Sequence, residues 1–448
     1  MTADRILRIV LLTDYNTRVV VFGTVMLGIA GGVIGVFLLL RRRALLADAV
    51  SHAALPGIAG AFLVMVAFGA DGRSLPGLLL GALIAGLLGM AIVAAIDRYT
   101  HLSEDAALGI VLSVFFGFGI ALLGVIQKMR GASAAGLASF IFGKTASMLR
   151  SDAILIGVSA VLIVVVAVFL FKELRLTTFD PEFGASDGWP VGALDLILMA
   201  LVVGVTVLGL QAVGVILVIA VLIVPPAAAR FWTDDLAKTT IISAVIGAIG
   251  GYVGTSISAL APRLPAGAVI VTVMGAAFLV SLLFGTARGL VHVAREKHAL
   301  GARIREQNLL RTLFEYEESS PAPDAADTSA DAKRQTAYLE RSRSYTGTEL
   351  RRALRRAERD GLIRRDERDV RVFTAAGRAR AARVTRNHRL WETYLLEYAE
   401  SATSQVDYGA DFIEHVLGEE LVAELERVVV REGRRVPESV HTLTRGVR

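Results

Sequence analysis

The chain contains no cysteine among its 448 residues. A disulfide framework, a thiolate metal site and a cysteine nucleophile are therefore all excluded. Any metal chemistry must use His, Asp, Glu, Asn or backbone oxygen atoms. The first residues also lack the small-residue cleavage site of a removable signal peptide, and neither an internal repeat nor a long low-complexity tract is present.

Apolar residues are abundant: they make up 54% of the chain, and the mean hydropathy is +0.58. Several runs reach the roughly 20 residues needed to cross a bilayer, which predicts a polytopic, all-α membrane protein. Only residues 209–211 separate the sixth run from the seventh, so the pattern fits nine spans or eight spans plus one broken segment. The nine runs are residues 19–40, 45–68, 75–96, 106–126, 153–171, 191–208, 212–229, 239–260 and 266–284.

The positions of Lys and Arg indicate an orientation. If Arg41–Arg43 are cytoplasmic, strict alternation of the spans puts Lys172, Arg230 and Arg288 on the same side, as the positive-inside rule requires. Lys128, Arg130, Lys144 and Arg150 do not fit this alternation. The pattern predicts a multi-pass protein of the bacterial inner (plasma) membrane with a cytoplasmic C-terminus.

The composition changes sharply after the last apolar run, which divides the chain into four parts. Residues 1–18 form an N-terminal segment, and residues 19–290 form a transmembrane domain. Residues 291–334 comprise a charged helix and an acidic segment rich in Ser, Pro and Ala, which is typical of a flexible linker. Residues 335–448 are basic and predict a small soluble α+β domain.

Asp48 and His52 lie in an apolar segment between Arg41 and Gly57. Residues four apart share one face of a helix. Ionisable groups at membrane depth are costly and usually line an ion or substrate path, and a carboxylate with an imidazole suits a divalent transition metal. The alternative is that both residues cap or anchor a helix end. Pro56-Gly57 predicts a helix break that exposes backbone carbonyls.

Two other motifs bear on function. Phe142-Gly143-Lys144-Thr145 resembles the end of a phosphate-binding loop, but Ala138 stands where that loop requires glycine. We therefore predict no nucleotide site in this chain. The segment Asp180, Pro181, Glu182 and Phe183 is either a solvated turn or a short helix presented to a partner.

The apolar region resembles the membrane permeases of ABC importers for zinc, manganese and iron. The resemblance implies a homodimeric or pseudo-dimeric pore, a separate cytoplasmic ATPase subunit and an extracytoplasmic metal-binding protein. It implies that Asp48 and His52 coordinate the transported ion, and that Asp180–Phe183 meet the ATPase. It rests on residues 41–62, 102–109, 179–183, 211–214, 222–230 and 264–268.

The soluble tail has the order helix, short strand pair, helix, which is the pattern of a winged helix. Ligand-type side chains then recur at helical spacing around His388 and His415. The tail resembles metal-dependent repressors of the diphtheria-toxin-repressor and manganese-repressor type, whose last helices bind metal and dimerise. The resemblance implies that His388 and Glu392 belong to one metal site, and that Asp411, Glu414 and His415 belong to another.

The tail departs from the repressor pattern at three positions. The ligand that the first helix of the repressors supplies to the second site falls at Asn308, and an amide is a weaker ligand than an acid. Asp407 occupies the position at which the repressor pattern has another His for the first site, and Gly409 replaces a nearby acid of that pattern. The alternative is a dimerisation fold with ordinary surface charges.

The sequence as a whole predicts a permease subunit rather than an enzyme. It would import manganese, zinc or iron, driven by ATP hydrolysis on another subunit, with a tail that senses metal. The alternative is a membrane-tethered, metal-responsive DNA-binding regulator. The arginines of the tail suit lipid headgroups or the ATPase better than specific DNA, so we do not expect DNA to be a partner.

Overall fold

A computed structural model describes residues 14–41, 43, 45–69, 74–129, 148–260, 264–319, 328–342, 347–367, 369–398 and 427. The chain divides into two compact units, Met1–Val293 and Ala294–Arg448. The candidate phosphate loop, and Asp407, Asp411, Glu414 and His415, lie outside the described residues.

Helices are the regular secondary structure of the described part of the first unit. Eight of its helices are long and apolar enough to cross a bilayer, which confirms the prediction of a polytopic all-α protein. They are α1 Tyr15–Leu40, α2 Leu45–Ala67, α3 Leu75–Tyr99, α4 Glu104–Lys128, α5 Arg150–Phe169, α8 Val191–Val213, α10 Leu236–Leu260 and α11 Ala266–Phe284; α6 Phe171–Phe179, α7 Pro181–Ser186 and α9 Val215–Ala229 are shorter.

The broken segment is a hairpin of α8 and the 15-residue α9. Its turn is at Gly214, whose φ of 84° is unfavourable for residues with a Cβ. The predicted break at residues 209–211 is therefore wrong by several residues, because the helix continues to Val213. A Cβ on Gly209 would lie 2.4 Å from Val218 Cγ2, so α9 folds back along α8. The described fold therefore has eight long spans and one short returning helix.

Helices α1 and α10 pack through backbone contact. A Cβ on Gly28 would lie 2.3 Å from the carbonyl oxygen of Gly247, and a Cβ on Gly247 would lie 2.1 Å from that of Gly28. Ser243 Oγ donates a hydrogen bond of 2.7 Å to the carbonyl oxygen of Gly32. Small residues allow such close approach in lipid, where burial of apolar surface does not drive helices together.

The charged ends of the helices gather on one face of this unit. Arg41, after α1, pairs with Asp195 near the start of α8, and Arg43 pairs with Glu104 at the start of α4. Arg288, after α11, pairs with Asp234 at 2.5 Å. The backbone N–H groups of Ala287 and Arg288 also donate to the Phe231 carbonyl oxygen, just after α9.

The second unit contains most of α12 (Leu290–Ser319), then α13 (Thr328–Ser342) and α14 (Gly347–Arg359). Strands β1 (Ile363–Arg365) and β2 (Arg371–Phe373) pair antiparallel, with Ile363 opposite Phe373, and α15 (Ala375–Tyr398) follows. This order confirms the small α+β unit with a winged-helix pattern. Residues 328–333 are helical, so the linker predicted from their composition is wrong there. The core consists of Leu309, Leu310, Leu313, Leu339, Leu350, Leu354, Ala357, Leu362, Ile363, Phe373 and Ala381.

Candidate metal site and its surroundings

Asp48 and His52 lie on successive turns at the start of α2. His52 Nε2 is 3.3 Å from Asp48 Oδ1, and the two side chains are 24% and 33% exposed. Asp48 occupies the first turn of the helix, where the partial positive charge of the N-terminus stabilises a carboxylate. The helical spacing predicted this pairing, and both groups remain accessible to an ion.

The pair is held by close packing on the rest of α2. The neighbours Leu46, Ala47, Ala49, Val50 and Ala53 are buried, and the His52 ring contacts the Phe116 ring of α4 edge to face, with 4.9 Å between centroids. His52 Nδ1 is buried and has no hydrogen-bond partner among the described residues. The imidazole therefore presents Nε2 towards Asp48.

Helix α2 continues through Pro56 to Ala67. The predicted helix break at Pro56-Gly57 is therefore wrong. The Leu55–Pro56 backbone packs against α4, where a Cβ on Gly119 would lie 2.9 Å from Leu55 Cβ and 3.0 Å from the Pro56 nitrogen. In a membrane helix, packing against a neighbour accommodates an interior proline without ending the helix.

The geometry of the pair suits two ligands of one ion. Protein nitrogen and oxygen atoms bind zinc at about 2.1 Å. Two such atoms 3.3 Å apart would subtend an angle of about 104° at the ion, close to the tetrahedral angle. Among the described residues, no three His, Asp or Glu side chains converge into a complete metal site. The pair in one chain thus provides half of a four-ligand shell.

A cluster of four charged residues, Arg41, Arg43, Glu104 and Asp195, lies next to the start of α2; we call it the charge cluster. Arg41 Nη1 pairs with Asp195 Oδ1. Arg43 Nη1 is 3.0 Å and 3.1 Å from the two Asp195 oxygens, and Arg43 Nε is 2.7 Å from Glu104 Oε1. The four side chains are between 10% and 28% exposed.

Burial and the carboxylates act in opposite directions on these arginines. Burial lowers the pKa of Arg41, and Asp195 only partly offsets this. Burial also acts to lower the pKa of Arg43, but Asp195 and Glu104 together outweigh it and raise that pKa. Both guanidinium groups stay charged at neutral pH. Sequence reasoning treated these arginines only as a topology signal and missed Asp195, although it is the one acid in its apolar run.

The segment Asp180–Phe183 begins the short helix α7. Asp180 caps it, since its Oδ1 accepts a hydrogen bond of 2.9 Å from the Phe183 backbone N–H, and Pro181 fills the first helical position, which proline favours. Phe179 and Phe183 are 63% and 56% exposed. The sequence left open a solvated turn or a short helix for this segment, and the structure shows the short helix.

Three of the candidate residues in the tail fall on described helices. Asn308 lies on α12, and its buried Oδ1 has no hydrogen-bond partner in the described part of the chain. His388 lies on α15 and is 1% exposed. Glu392 follows one turn later on α15. A buried amide oxygen without a partner and a buried imidazole are compatible with metal ligation.

Comparison with known proteins identifies both units. Residues 13–285 match the ABC 3 transport family. The chain belongs to this family. Residues 374–431 match the metal binding and dimerisation domain of iron dependent repressors, which confirms the repressor-like domain.

The relatives of this ABC 3 family member include metal transport proteins. The manganese transport system membrane protein MntC of Bacillus subtilis is 38% identical over 393 residues, which are 88% of this chain and 87% of that protein. The 393 aligned residues exceed the 293 residues of the first unit, so the similarity extends into the second unit. The zinc transport system membrane protein TroC of Treponema pallidum is 43% identical over 282 residues, which are 63% of this chain and 93% of that protein.

A solved structure supports the fold of the first unit. PsaBC from Streptococcus pneumoniae in complex with Fab matches with a TM-score of 0.56 and 28% identity. The match covers 66% of this chain and 100% of the matched chain. The chain is therefore a multi-pass membrane permease of the ABC 3 type with a repressor-like second unit.

Proposed function

We propose that this chain is the permease subunit of an ATP-driven importer of a divalent transition metal: manganese, zinc or iron. The Asp48–His52 pair carries the proposal, because an accessible carboxylate and imidazole 3.3 Å apart in a membrane helix would be costly without a cation to bind. The manganese and zinc transport relatives name the same class of cargo. Asp48 and His52 act as ligands along the path, and no reaction takes place on this chain.

The permease acts as a homodimer in which two Asp48–His52 pairs share one ion. One pair supplies two ligands, and four complete a tetrahedral shell. Helix α4, which carries Phe116 beside His52, presents an exposed stripe of small residues at spacing four: Gly109, Ser113, Gly117 and Ala121. Such spacing allows close approach of a second helix in lipid. The second copy therefore docks on this stripe, and the shared site lies beside it.

ATP hydrolysis takes place on a separate cytoplasmic subunit that contacts α7. The support is a capped helix whose residues Pro181, Glu182 and Phe183 are exposed, with Phe179 exposed beside it. Exposed aromatic side chains are enriched at protein interfaces. An extracytoplasmic binding protein delivers the ion to the opposite face of the permease.

The face that carries the charge cluster is cytoplasmic. Arg41, Arg43, Arg230 and Arg288 all lie near helix ends on this face, and excess Arg marks the cytoplasmic side of a membrane protein. The second unit follows α11 and so lies in the bacterial cytoplasm. It senses imported metal through Asn308, His388, Glu392, Asp407, Asp411, Glu414 and His415, and thereby regulates uptake.

Metal uptake into vesicles tests the transport function. The permease is reconstituted with its ATPase and binding protein, and the entry of radioactive manganese, zinc or iron is measured with ATP present. Asp48→Ala and His52→Ala should each reduce uptake by about a hundredfold or more, since each removes one ligand from each copy at the shared site. Ser51→Ala is the matched control, because Ser51 Oγ donates only to the Ala47 carbonyl oxygen on the same helix.

Wild-type vesicles that accumulate none of the three metals would contradict the transport function. The alternative is a membrane-tethered DNA-binding regulator. The observation that favours it is on α14, where Arg351, Arg352 and Arg355 are exposed. It predicts metal-dependent binding of the full-length protein to a specific duplex. Binding that is lost equally for all sequences as salt rises would indicate only a general attraction to anions.

A further inference from the structure

The charge cluster connects four helical elements at the start of the helix that carries the candidate metal site. Arg41 follows α1, Arg43 precedes α2, Glu104 begins α4 and Asp195 lies on α8. We propose that this cluster couples movement of α6 and α7 to the position of α2, so that Arg43 and Asp195 are positioning residues for the Asp48–His52 pair. This inference rests on the proposed transport function and assigns the residues that transmit the ATPase-driven movement.

The first step of the connection runs from α7 to α6. Asp180 joins the two helices: its backbone N–H donates to the Leu176 carbonyl oxygen of α6 at 2.9 Å, and its carbonyl oxygen accepts from Gly184 of α7 at 3.1 Å. Its side chain caps α7 through the Phe183 N–H. One residue thus belongs to the hydrogen-bonding of both helices, so displacement of the exposed α7 displaces the end of α6.

The second step runs from α6 to Arg41. Arg41 Nη2 donates to Thr177 Oγ1 at 2.7 Å, and Arg41 Nε donates to Thr178 Oγ1 at 3.3 Å. Both threonine hydroxyls donate in turn to backbone carbonyl oxygens of α6, which leaves their lone pairs directed at the guanidinium. The third nitrogen of Arg41 pairs with Asp195, so one largely buried side chain links α6 to α8.

The third step runs from Asp195 to the start of α2. Asp195 also binds Arg43, whose carbonyl oxygen accepts a hydrogen bond of 3.1 Å from the Leu46 N–H in the first turn of α2. Asp48 lies two residues beyond Leu46. Movement of Arg43 therefore changes the position of the turn that carries the candidate ligand, while Glu104 ties the same guanidinium to the start of α4, the helix that carries Phe116 further along.

Ion pairs of this kind suit a switch between discrete arrangements. Partly buried charges strongly disfavour intermediate positions in which a partner is lost, and packed interfaces change between a few states rather than continuously. Asp195 is shared by two arginines, so a shift of α8 or α6 alters both pairs together. The cluster thereby connects the proposed ATPase contact to the proposed ligands through contacts that are all present in the first unit.

The test compares uptake with ATP hydrolysis in the same vesicles, using the complete transporter and radioactive manganese or zinc. For Asp195→Asn and Arg43→Gln we expect the metal transported per ATP hydrolysed to fall about tenfold, a typical coupling effect between sites, while ATP hydrolysis persists. Asp195→Glu keeps the charge and should restore most of this ratio. Arg175→Gln removes an exposed charge of α6 outside the cluster and serves as the matched control.

Thr177→Val provides a milder variant that removes one acceptor for Arg41 without leaving an unpaired acid, and the same ratio should fall severalfold. A wild-type ratio in all three variants overturns the inference, and so does a proportional loss of uptake and hydrolysis, which indicates a purely structural role. Failure of the wild-type vesicles to take up metal would instead contradict the proposed function itself.

Discussion

His52 Nε2 lies 3.3 Å from Asp48 Oδ1, whereas His52 Nδ1 is buried and has no hydrogen-bond partner in the described residues. The imidazole is therefore oriented by packing against Phe116 rather than by a hydrogen bond on its far side. This orientation directs one nitrogen and one carboxylate oxygen towards a common point, which is the arrangement needed to bind one ion.

The number of ions bound per chain follows from the two-ligand geometry. If two copies share one tetrahedral site, the first unit should bind one manganese or zinc ion per two chains. Metal analysis after equilibrium dialysis measures this ratio, and a variant lacking residues 294–448 isolates the contribution of the first unit. Asp48→Ala combined with His52→Ala should abolish this binding. One ion per chain in the truncated protein would contradict a shared site.

The contact between Gly28 and Gly247 makes these positions sensitive to size. Gly28→Val should destabilise the first unit by about 3 kcal/mol, because the added atoms meet backbone that cannot move aside. The midpoint of thermal unfolding in detergent measures the effect. Gly275→Ala is the control, since a Cβ there meets no atom within 4 Å among the described residues. Its stability should be unchanged or higher by up to about 1 kcal/mol.

The small-residue stripe of α4 should respond differently. A Cβ on Gly117 meets no described atom within 4 Å, so Gly117→Leu should leave the folding of each chain intact. It should separate the two copies, because it holds the facing helices apart. Light scattering in detergent measures the mass of the particle. A dimer that survives Gly117→Leu would rule out this stripe as the interface.

Phe183 of α7 is expected to contact the ATPase. Phe183→Ser should lower ATP hydrolysis by the complex about tenfold or more, as loss of a central aromatic contact commonly costs 2 kcal/mol or more in binding. Co-purification of the ATPase subunit provides a second measurement. Lys172→Gln, an exposed change on α6, is the matched control. Unchanged hydrolysis and co-purification would exclude α7 from the contact.

The tail should make uptake sensitive to internal metal. His388→Ala, or Asp411, Glu414 and His415 changed together to Ala, should abolish inhibition of uptake by manganese or zinc enclosed in the vesicles. Initial uptake without enclosed metal should stay at the wild-type rate, because these residues lie outside the transport path. The exposed change Arg383→Gln on α15 serves as the control. Equal inhibition of the variants and the wild type would refute metal sensing.

Much of the fold followed from local pattern. Apolar runs of about 20 residues predict spanning helices because each backbone polar group must be satisfied within the segment in lipid. The i, i+4 spacing of Asp48 and His52 similarly predicted their contact. Composition gave the wrong prediction at Pro56 and at residues 328–333, because packing by α4 accommodates the proline and Thr328–Ser342 form a helix.

By itself, the sequence determined the membrane class, the order of the two units and the residue types able to bind metal, since these depend on hydropathy and helical periodicity. Tertiary structure alone decided that Asp195 binds both Arg41 and Arg43, because Asp195 is over 150 positions from either arginine in the sequence. It also decided that α9 turns back at Gly214 and that Gly28 contacts Gly247. Such relationships depend on how helices pack against one another, and local spacing carries no information about that.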